Sequence, residues 1–425
     1  MIEHTSTPPG VILVAVRHKT MSDSEARHHV SELERLVDTL GYRVLETRLL
    51  RGNTPHPGLF IGSGQADELA SLADELEADA LIFDDELSPS QQRNLERRTR
   101  VAVSDRHEII LEIFHEHAVT REARLQVEKA ELAYQLPRLR RAWTHLSRQR
   151  GGMKGTRGEG ETQLEIDRRR ITARQQQLER ELREVRRHRA TMRQKREAVP
   201  VPTLALVGYT NAGKSSLMTA LTGRDVLRQD KLFATLDPKS SRMIMPDGVE
   251  VIVTDTVGFI RKLPHDLVEA FRSTLEETVR ADILLHVVDA ASPQAADEVA
   301  TTRAVLAEIG ADTSSILVVL NKMDLLGYGG ESIEHASIHV AGVDSGIPVS
   351  SLTGAGIASL RDRIADLVTA HRIEEDLLIP PDRWDLVAMV HREARVLQED
   401  VKDGSVRLRA ELSDRLRTSL AEYVV

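Results

Sequence analysis

Apolar residues fall along the chain in four successive patterns. Up to about residue 114, short apolar runs alternate with stretches of helical period: Val11 to Val16, Ser22 to Leu40 closed by Gly41, Val44 to Leu50, Gln65 to Glu77, Ala80 to Phe83, Ser88 to Thr99, Val101 to Val103 and Asp105 to Phe114. Strands alternating with helices predict a small α/β domain with a mostly parallel sheet. Gly62-Ser63-Gly64 reads as a plain turn in preference to an anion site. His28, His29, His115 and His117 stand at no metal-ligand spacing and read as solvated.

From about Glu116 a single helical stripe runs to Arg150, through Leu125, Leu132, Leu136, Leu139, Trp143 and Leu146 at spacings of 7, 4, 3, 4 and 3. Pro137 predicts a kink in it. A second helix is predicted from about Glu161 to Arg196, with Leu164, Ile171, Leu178, Val185 and Met192 recurring every seven residues and Leu182 widening the seam. At 1.5 Å per residue it is about 54 Å long. Its stripe is too narrow for a globular core, so the pair is expected to form an antiparallel coiled coil. Val199-Pro200-Val201-Pro202 then reads as a stiff linker into a doubly wound domain. After it, Ile373 to Val425 is expected to form a small α+β domain, with a helix over Asp382 to Gln398 and a strand over Ser405 to Leu412. The predicted domains are 1–114, 115–198, 199–372 and 373–425.

Composition narrows the class. The 425 residues are 41% apolar, enough for several cores, and no apolar run approaches the roughly 20 residues of a membrane helix. Neither a signal-peptide pattern nor any cysteine is present, which fits a cytoplasmic protein, expected to be a monomer, and excludes disulfides and thiolate metal sites. Peripheral attachment to a membrane stays open. The net charge of −9 hides an asymmetry: residues 138–196 carry 19 Lys/Arg against 7 Asp/Glu, about +12, leaving about −21 elsewhere. A basic partner site is therefore local.

The doubly wound region carries the chemistry. Leu204 to Val207 leads into Gly208-Tyr209-Thr210-Asn211-Ala212-Gly213-Lys214-Ser215, spaced GxxxxGKS between a strand and a helix. In that setting backbone N–H groups and the helix N-terminus cradle phosphates, Lys214 reaches the β- and γ-oxygens, and Ser215 ligates Mg²⁺. Asp255-Thr256-Val257-Gly258 closes the run Val251 to Val253 and supplies a carboxylate for the metal and a glycine to sense the γ-phosphate. Asn321-Lys322-Met323-Asp324 follows Ile316 to Leu320, and Asp324 can accept from the N1–H and N2–H₂ groups that guanine has and adenine lacks. The nucleotide is therefore GTP, which argues against an ATP-driven RNA remodeller. Ser350-Ser351-Leu352, after Pro348-Val349, supplies a loop to close over the base.

Three further signals add to these motifs. The stretch Arg148 to Gln163 interleaves Gly151, Gly152, Gly155, Gly158 and Gly160 with Arg150, Lys154 and Arg157, a pattern suited to RNA phosphates and splayed bases; a flexible connector is the alternative. Arg148, Arg150, Gly151, Gly152, Lys154, Arg157, Gly158 and Gly160 are the candidate RNA contacts. Phe259, where many small GTPases place a water-orienting glutamine, predicts slow unassisted hydrolysis. Asn211 makes K⁺ a second candidate cation beside Mg²⁺.

Over almost its whole length the sequence resembles the HflX family of ribosome-associated GTPases. The resemblance rests on Gly158-Glu159-Gly160-Glu161-Thr162-Gln163-Leu164-Glu165 with Asp167-Arg168-Arg169, on the run from Phe83 to Leu95, on Leu136-Pro137-Arg138-Leu139, and on Phe233-Ala234-Thr235-Leu236-Asp237-Pro238. It implies that Thr235 ligates Mg²⁺ with GTP bound and that Asp255 holds the metal through water, so that Lys214, Thr235 and Gly258 carry catalysis. It also implies binding to the large (50S) ribosomal subunit and its rRNA, and separation of ribosomal subunits under stress. A checkpoint role on immature large subunits is the alternative. Gln65 and Lys239 stand where the family pattern leads one to expect lysine and threonine, and the region after 373 aligns only loosely.

Overall fold

The computed structural model describes residues 8–19, 21–52, 55–142, 157–194, 201–223, 232–233, 235–245, 248–263, 267, 272–313, 315–328, 333, 340, 343, 345–370, 372–402 and 404–425. Packing divides the chain into two compact units, Met1–Glu184 with Leu263–Ala270, and Val185–Lys262 with Phe271–Val425.

In the first unit, β1 (Gly10–Arg17), β2 (Arg43–Arg51), β3 (Ala80–Phe83) and β4 (Ala102–Asp105) form a parallel sheet in the order β2-β1-β3-β4. β1 is central and covered on both faces, so its run reads continuously apolar. The helices α1 (Asp23–Thr39), α2 (Ser63–Glu75), α3 (Pro89–Thr99) and α4 (Arg106–His117) alternate with the strands. Their starts are set by local chemistry: Ser22 with Glu25 and Ser88 with Gln91 close capping boxes. Gly62 caps α2, and Ser63 and Gly64 are its first residues. Gln65 takes the Gly62 amide on Oε1 at 3.0 Å and donates from Nε2 to the Arg51 carbonyl at 3.1 Å. The expectation of solvated histidines needs correction at three positions and holds at His115. His28, His29 and His117 are half-buried, and the exposed His115 ring lies 2.8 Å from Glu131.

The predicted helix from Glu116 is broken. α4 stops at His117, Ala118 is extended, and the Thr120 hydroxyl accepts from the Ala123 amide to start α5 (Arg121–Ala142), which contains Pro137. Trp143 and Leu146 lie outside the described residues. α6 (Arg157–Gln194) begins at Arg157 rather than Glu161, so Gly158 and Gly160 are helical. The two helices pair antiparallel: Arg174 forks onto Glu128 at 2.6 and 2.7 Å, Arg121 meets Glu181 at 3.4 Å, and Leu178 and Leu182 are buried. The apolar seam is short, because Ile171 is only half-buried and Ile166 is exposed.

One guanidinium joins α5 to the sheet. Arg138 donates to Asp105 at 3.1 Å, to the Leu87 carbonyl at 3.0 Å and to Gln92 at 2.9 Å, and stacks 3.3 Å from the Tyr134 ring centre. The runs containing Phe83 to Leu95 and Leu136 to Leu139 therefore meet at one buried carboxylate, Asp105. A second buried set, Arg106 with Glu32 at 2.6 Å and Asp84 at 3.1 Å, fixes α1 against β3 and α4.

The second unit contains β5 (Thr203–Gly208), α7 (Lys214–Thr222), β6 (Lys239–Ile244), β7 (Glu250–Asp255), α8 (Arg272–Arg280), β8 (Ile283–Asp289), α9 (Ala295–Glu308), β9 (Ile316–Asn321), β10 (Ile347–Pro348) and α10 (Ile357–Ala370). The sheet runs β10-β9-β8-β5-β7-β6, parallel except for the β6–β7 pair. One core cluster lies on the face holding α7 and α10 and includes Leu217, Val253, Leu285 and Leu360. The ends of β5, β7, β9 and β10 carry the four motifs, as a doubly wound sheet requires.

Beyond it, β11 (Arg372–Ile379), α11 (Trp384–Glu393), β12 (Arg395–Lys402), β13 (Ser405–Ser413) and α12 (Asp414–Ser419) form an antiparallel sheet in the order β11-β13-β12 with its helices. The helix expected to reach Gln398 ends at Glu393. Ala394 is extended and Arg395 to Lys402 pair with β13, because Val387 and Val390 already cover the sheet. Among the described residues no helix is long and apolar enough to cross a membrane.

Candidate functional site

β5 delivers the loop 208–213 to the N-terminus of α7, and glycine is required at two of its turns. Gly208 has φ +148°, and a Cβ there would stand 2.2 Å from the Val287 carbonyl oxygen; Gly213 has φ +93°, and its Cβ would stand 2.2 Å from Asn321 Nδ2. Asn211 is left-handed at φ 61°, a conformation its side chain tolerates. Lys214 is buried and donates from Nζ to the Gly208 and Tyr209 carbonyls at 3.1 and 2.8 Å. Burial pushes its ammonium down to about 8, opposed by the charge of Asp255.

Three oxygen-bearing side chains converge beside it. Ser215 and Thr235 donate to Asp255 Oδ2 at 2.6 and 2.9 Å, and their hydroxyls lie 3.3 Å apart. Asp255 is fully buried, and its Oδ1 has no hydrogen-bond partner among the described residues. Burying a bare carboxylate oxygen is costly, so a hard cation held by these oxygens fits the site. Phe233 and Leu236 are buried beside Thr235, Asp237 is half-buried, and Ala234 lies outside the described residues.

The segment after β7 lies on the phosphate loop. The Thr210 amide donates to the Phe259 carbonyl at 2.7 Å and the Phe259 amide to the Gly208 carbonyl at 3.1 Å. A Cβ on Gly258 would stand 2.9 Å from the Thr210 Cα and 3.0 Å from Lys214 Nζ, so only glycine fits there. The Thr256 hydroxyl donates to the Leu206 carbonyl at 2.6 Å, and Val257 is buried.

The groups expected to read the base assemble at the ends of β9 and β10. Asn321, fully buried, donates to the Ala212 carbonyl at 2.9 Å and accepts from the Ser351 amide at 3.0 Å, joining phosphate loop and base loop. Lys322 is left-handed and its ammonium pairs with Asp289 at 2.8 Å. Met323 is buried, Asp324 accepts from the Ser350 hydroxyl at 2.6 Å, and Leu352 is exposed. No sequence motif marks Asp289 or His286. His286, paired in register with Val207, is buried, and that burial, with Arg303 and Lys214 nearby, pushes its imidazole down to about 4. Its signal was a lone histidine inside an apolar strand run.

The candidate RNA contacts are divided. Arg148, Arg150, Gly151, Gly152 and Lys154 lie outside the described residues, while Arg157, Gly158 and Gly160 form the start of α6.

Four family descriptions match in succession: "GTP-binding GTPase N-terminal" over 27–115, "GTP-binding GTPase Middle Region" over 117–196, "50S ribosome-binding GTPase" over 203–322 and "HflX C-terminal domain" over 337–422. The GTPase HflX of Akkermansia muciniphila is 43% identical over 405 residues, covering 93% of this chain and 92% of that protein. That of Escherichia coli is 40% identical over 396 residues, covering 93% and 92%. A GTP-binding protein from Sulfolobus solfataricus, solved in complex with GDP, is 26% identical, covers 85% of this chain and 99% of that one, and has a TM-score of 0.44.

Proposed function

The chain belongs to the HflX family of GTPases, and from that premise we propose that it hydrolyses GTP with Mg²⁺ while docked on the large ribosomal subunit, and so separates ribosomal subunits, notably under stress. The observation that carries the reading is the meeting of Ser215, Thr235 and Asp255 next to Lys214, where β7 ends beside the strand that opens the phosphate loop.

In this mechanism the loop 208–213 and Lys214 hold the β- and γ-phosphates, and Gly258 presents its amide to the γ-phosphate. Ser215 and Thr235 would hold Mg²⁺ directly and Asp255 through water; when bound, the metal neutralises charge developing on the phosphates. Asn321 and Asp324 orient and select guanine. Phe259 is buried and cannot hydrogen-bond a water, so the free protein turns over slowly and the ribosome supplies the missing orientation. K⁺ held near Asn211 would add charge at the β/γ-bridge, and equal turnover in potassium and sodium buffers with subunits present would exclude it.

Residues 1–114, 115–198, 199–372 and 373–425 act as four modules of a cytoplasmic monomer. The arginines of α6 supply phosphate contacts, and Arg148 to Gly160 reach the rRNA. Light scattering of intact ribosomes tests this: signal loss with the protein and GTP, and none with GDP, is expected. Intact scattering together with co-sedimentation on immature large particles would favour the checkpoint role instead.

A further inference from the structure

The hydroxyl of Tyr209 has no part in the mechanism above. Tyr209 is 4% exposed, and its hydroxyl oxygen accepts the backbone N–H of Arg261 at 2.7 Å. That bond continues a short parallel ladder in which the Gly208 carbonyl takes the Phe259 amide and the Thr210 amide goes to the Phe259 carbonyl. Three hydrogen bonds therefore hold residues 259–261 onto the phosphate loop, and the first of the held residues follows Gly258 directly. Gly258 itself lies so close to Thr210 and Lys214 that a single methyl group would collide with both.

We propose that Tyr209 is a positioning residue for the γ-phosphate: through Arg261 it sets where the Gly258 amide stands. The proposal rests on the GTPase reading and deepens it. GDP ends at the β-phosphate, which the loop and Lys214 hold without Gly258. GTP places a third phosphate where the Gly258 amide must reach it, and only that contact depends on the ladder. Two of the three bonds are backbone to backbone and are fixed by the chain. The third depends on the side chain at position 209, and phenylalanine keeps the buried ring while removing the acceptor.

Fluorescent GDP and a non-hydrolysable GTP analogue are titrated into the full chain and into Tyr209→Phe, without ribosomes. The expected result is GDP affinity within twofold of the parent and analogue affinity about three- to tenfold weaker, the range for one net hydrogen bond. A parallel loss of both affinities makes Tyr209 an ordinary packing residue and overturns the proposal. So does an analogue affinity that stays equal or rises. A parent chain that binds neither nucleotide refutes the GTPase reading itself, a distinct outcome.

Discussion

The Ser350 hydroxyl donates to Asp324 Oδ1 at 2.6 Å, so the residue proposed to read the base is aimed by a residue 26 positions later in the chain. Ser350 is fully buried and Asp324 half-buried, which leaves the carboxylate little freedom to turn. Ser350→Ala is expected to weaken GDP binding about three- to tenfold, the range for one net hydrogen bond. The loss should be smaller for inosine diphosphate, which lacks the N2 amine that Asp324 is proposed to read. Titration of both nucleotides checks it; equal losses would show that Ser350 only supports the loop.

Lys214 gives a pH dependence whose sign is fixed. Its folded-state ammonium, held near 8 mainly by burial, lies below its unfolded value of 10.5, so the free site loses its proton as pH rises through about 8. Folding stability should therefore rise between those two values, where the unfolded chain holds the extra proton. Nucleotide phosphates need the cation, so affinity should be flat below about pH 8 and fall above it, with a proton taken up on binding. Calorimetry in buffers of different ionisation enthalpy measures that proton directly. Binding that is pH-independent to pH 9.5 would contradict the assignment.

Arg138 tests the first unit separately. Asp105 is fully buried and Arg138 is its cationic partner, so Arg138→Ala should cost about 3 kcal/mol by stranding a buried carboxylate. Denaturant unfolding followed by the fluorescence of a probe placed on α3 would report it. GDP affinity should stay unchanged, since the nucleotide site belongs to the other unit.

Charge reversal at Arg180, Arg183, Arg186 and Arg187 should weaken binding to large subunits and flatten its dependence on salt, because each lost phosphate contact lowers the slope. Binding isotherms at several KCl concentrations decide it. An unchanged slope would make the α6 arginines a solvated face.

The placement of the candidate nucleotide motifs at strand ends was legible because each apolar run stops at a glycine or polar residue, and strand ends are where such sheets bind ligands. The parallel sheets and the antiparallel helix pair were legible for a similar reason, namely apolar period. What was hidden depended on weak local signals or on contacts distant in sequence. The break between α4 and α5 lies at Ala118-Val119-Thr120, which contains neither glycine nor proline, and only the Thr120 cap marks it. Arg395 to Gln398 carry a helical pattern but pair with β13, a tertiary override of local preference. Gly158 and Gly160 read as loop by propensity yet are helical at the start of α6. Neither the Arg138–Asp105 pair nor the Lys322–Asp289 pair leaves a sequence signature, because charged residues are assumed exposed until a partner is seen.

The central claim is that the ribosome completes a site that Phe259 leaves unfinished. The most direct measurement is the GTP turnover rate of the purified protein with and without large ribosomal subunits. At saturating subunits the rate is expected to rise at least about tenfold, which is what one net hydrogen bond of about 1.4 kcal/mol contributes to a rate. Identical rates in the two samples would contradict the account.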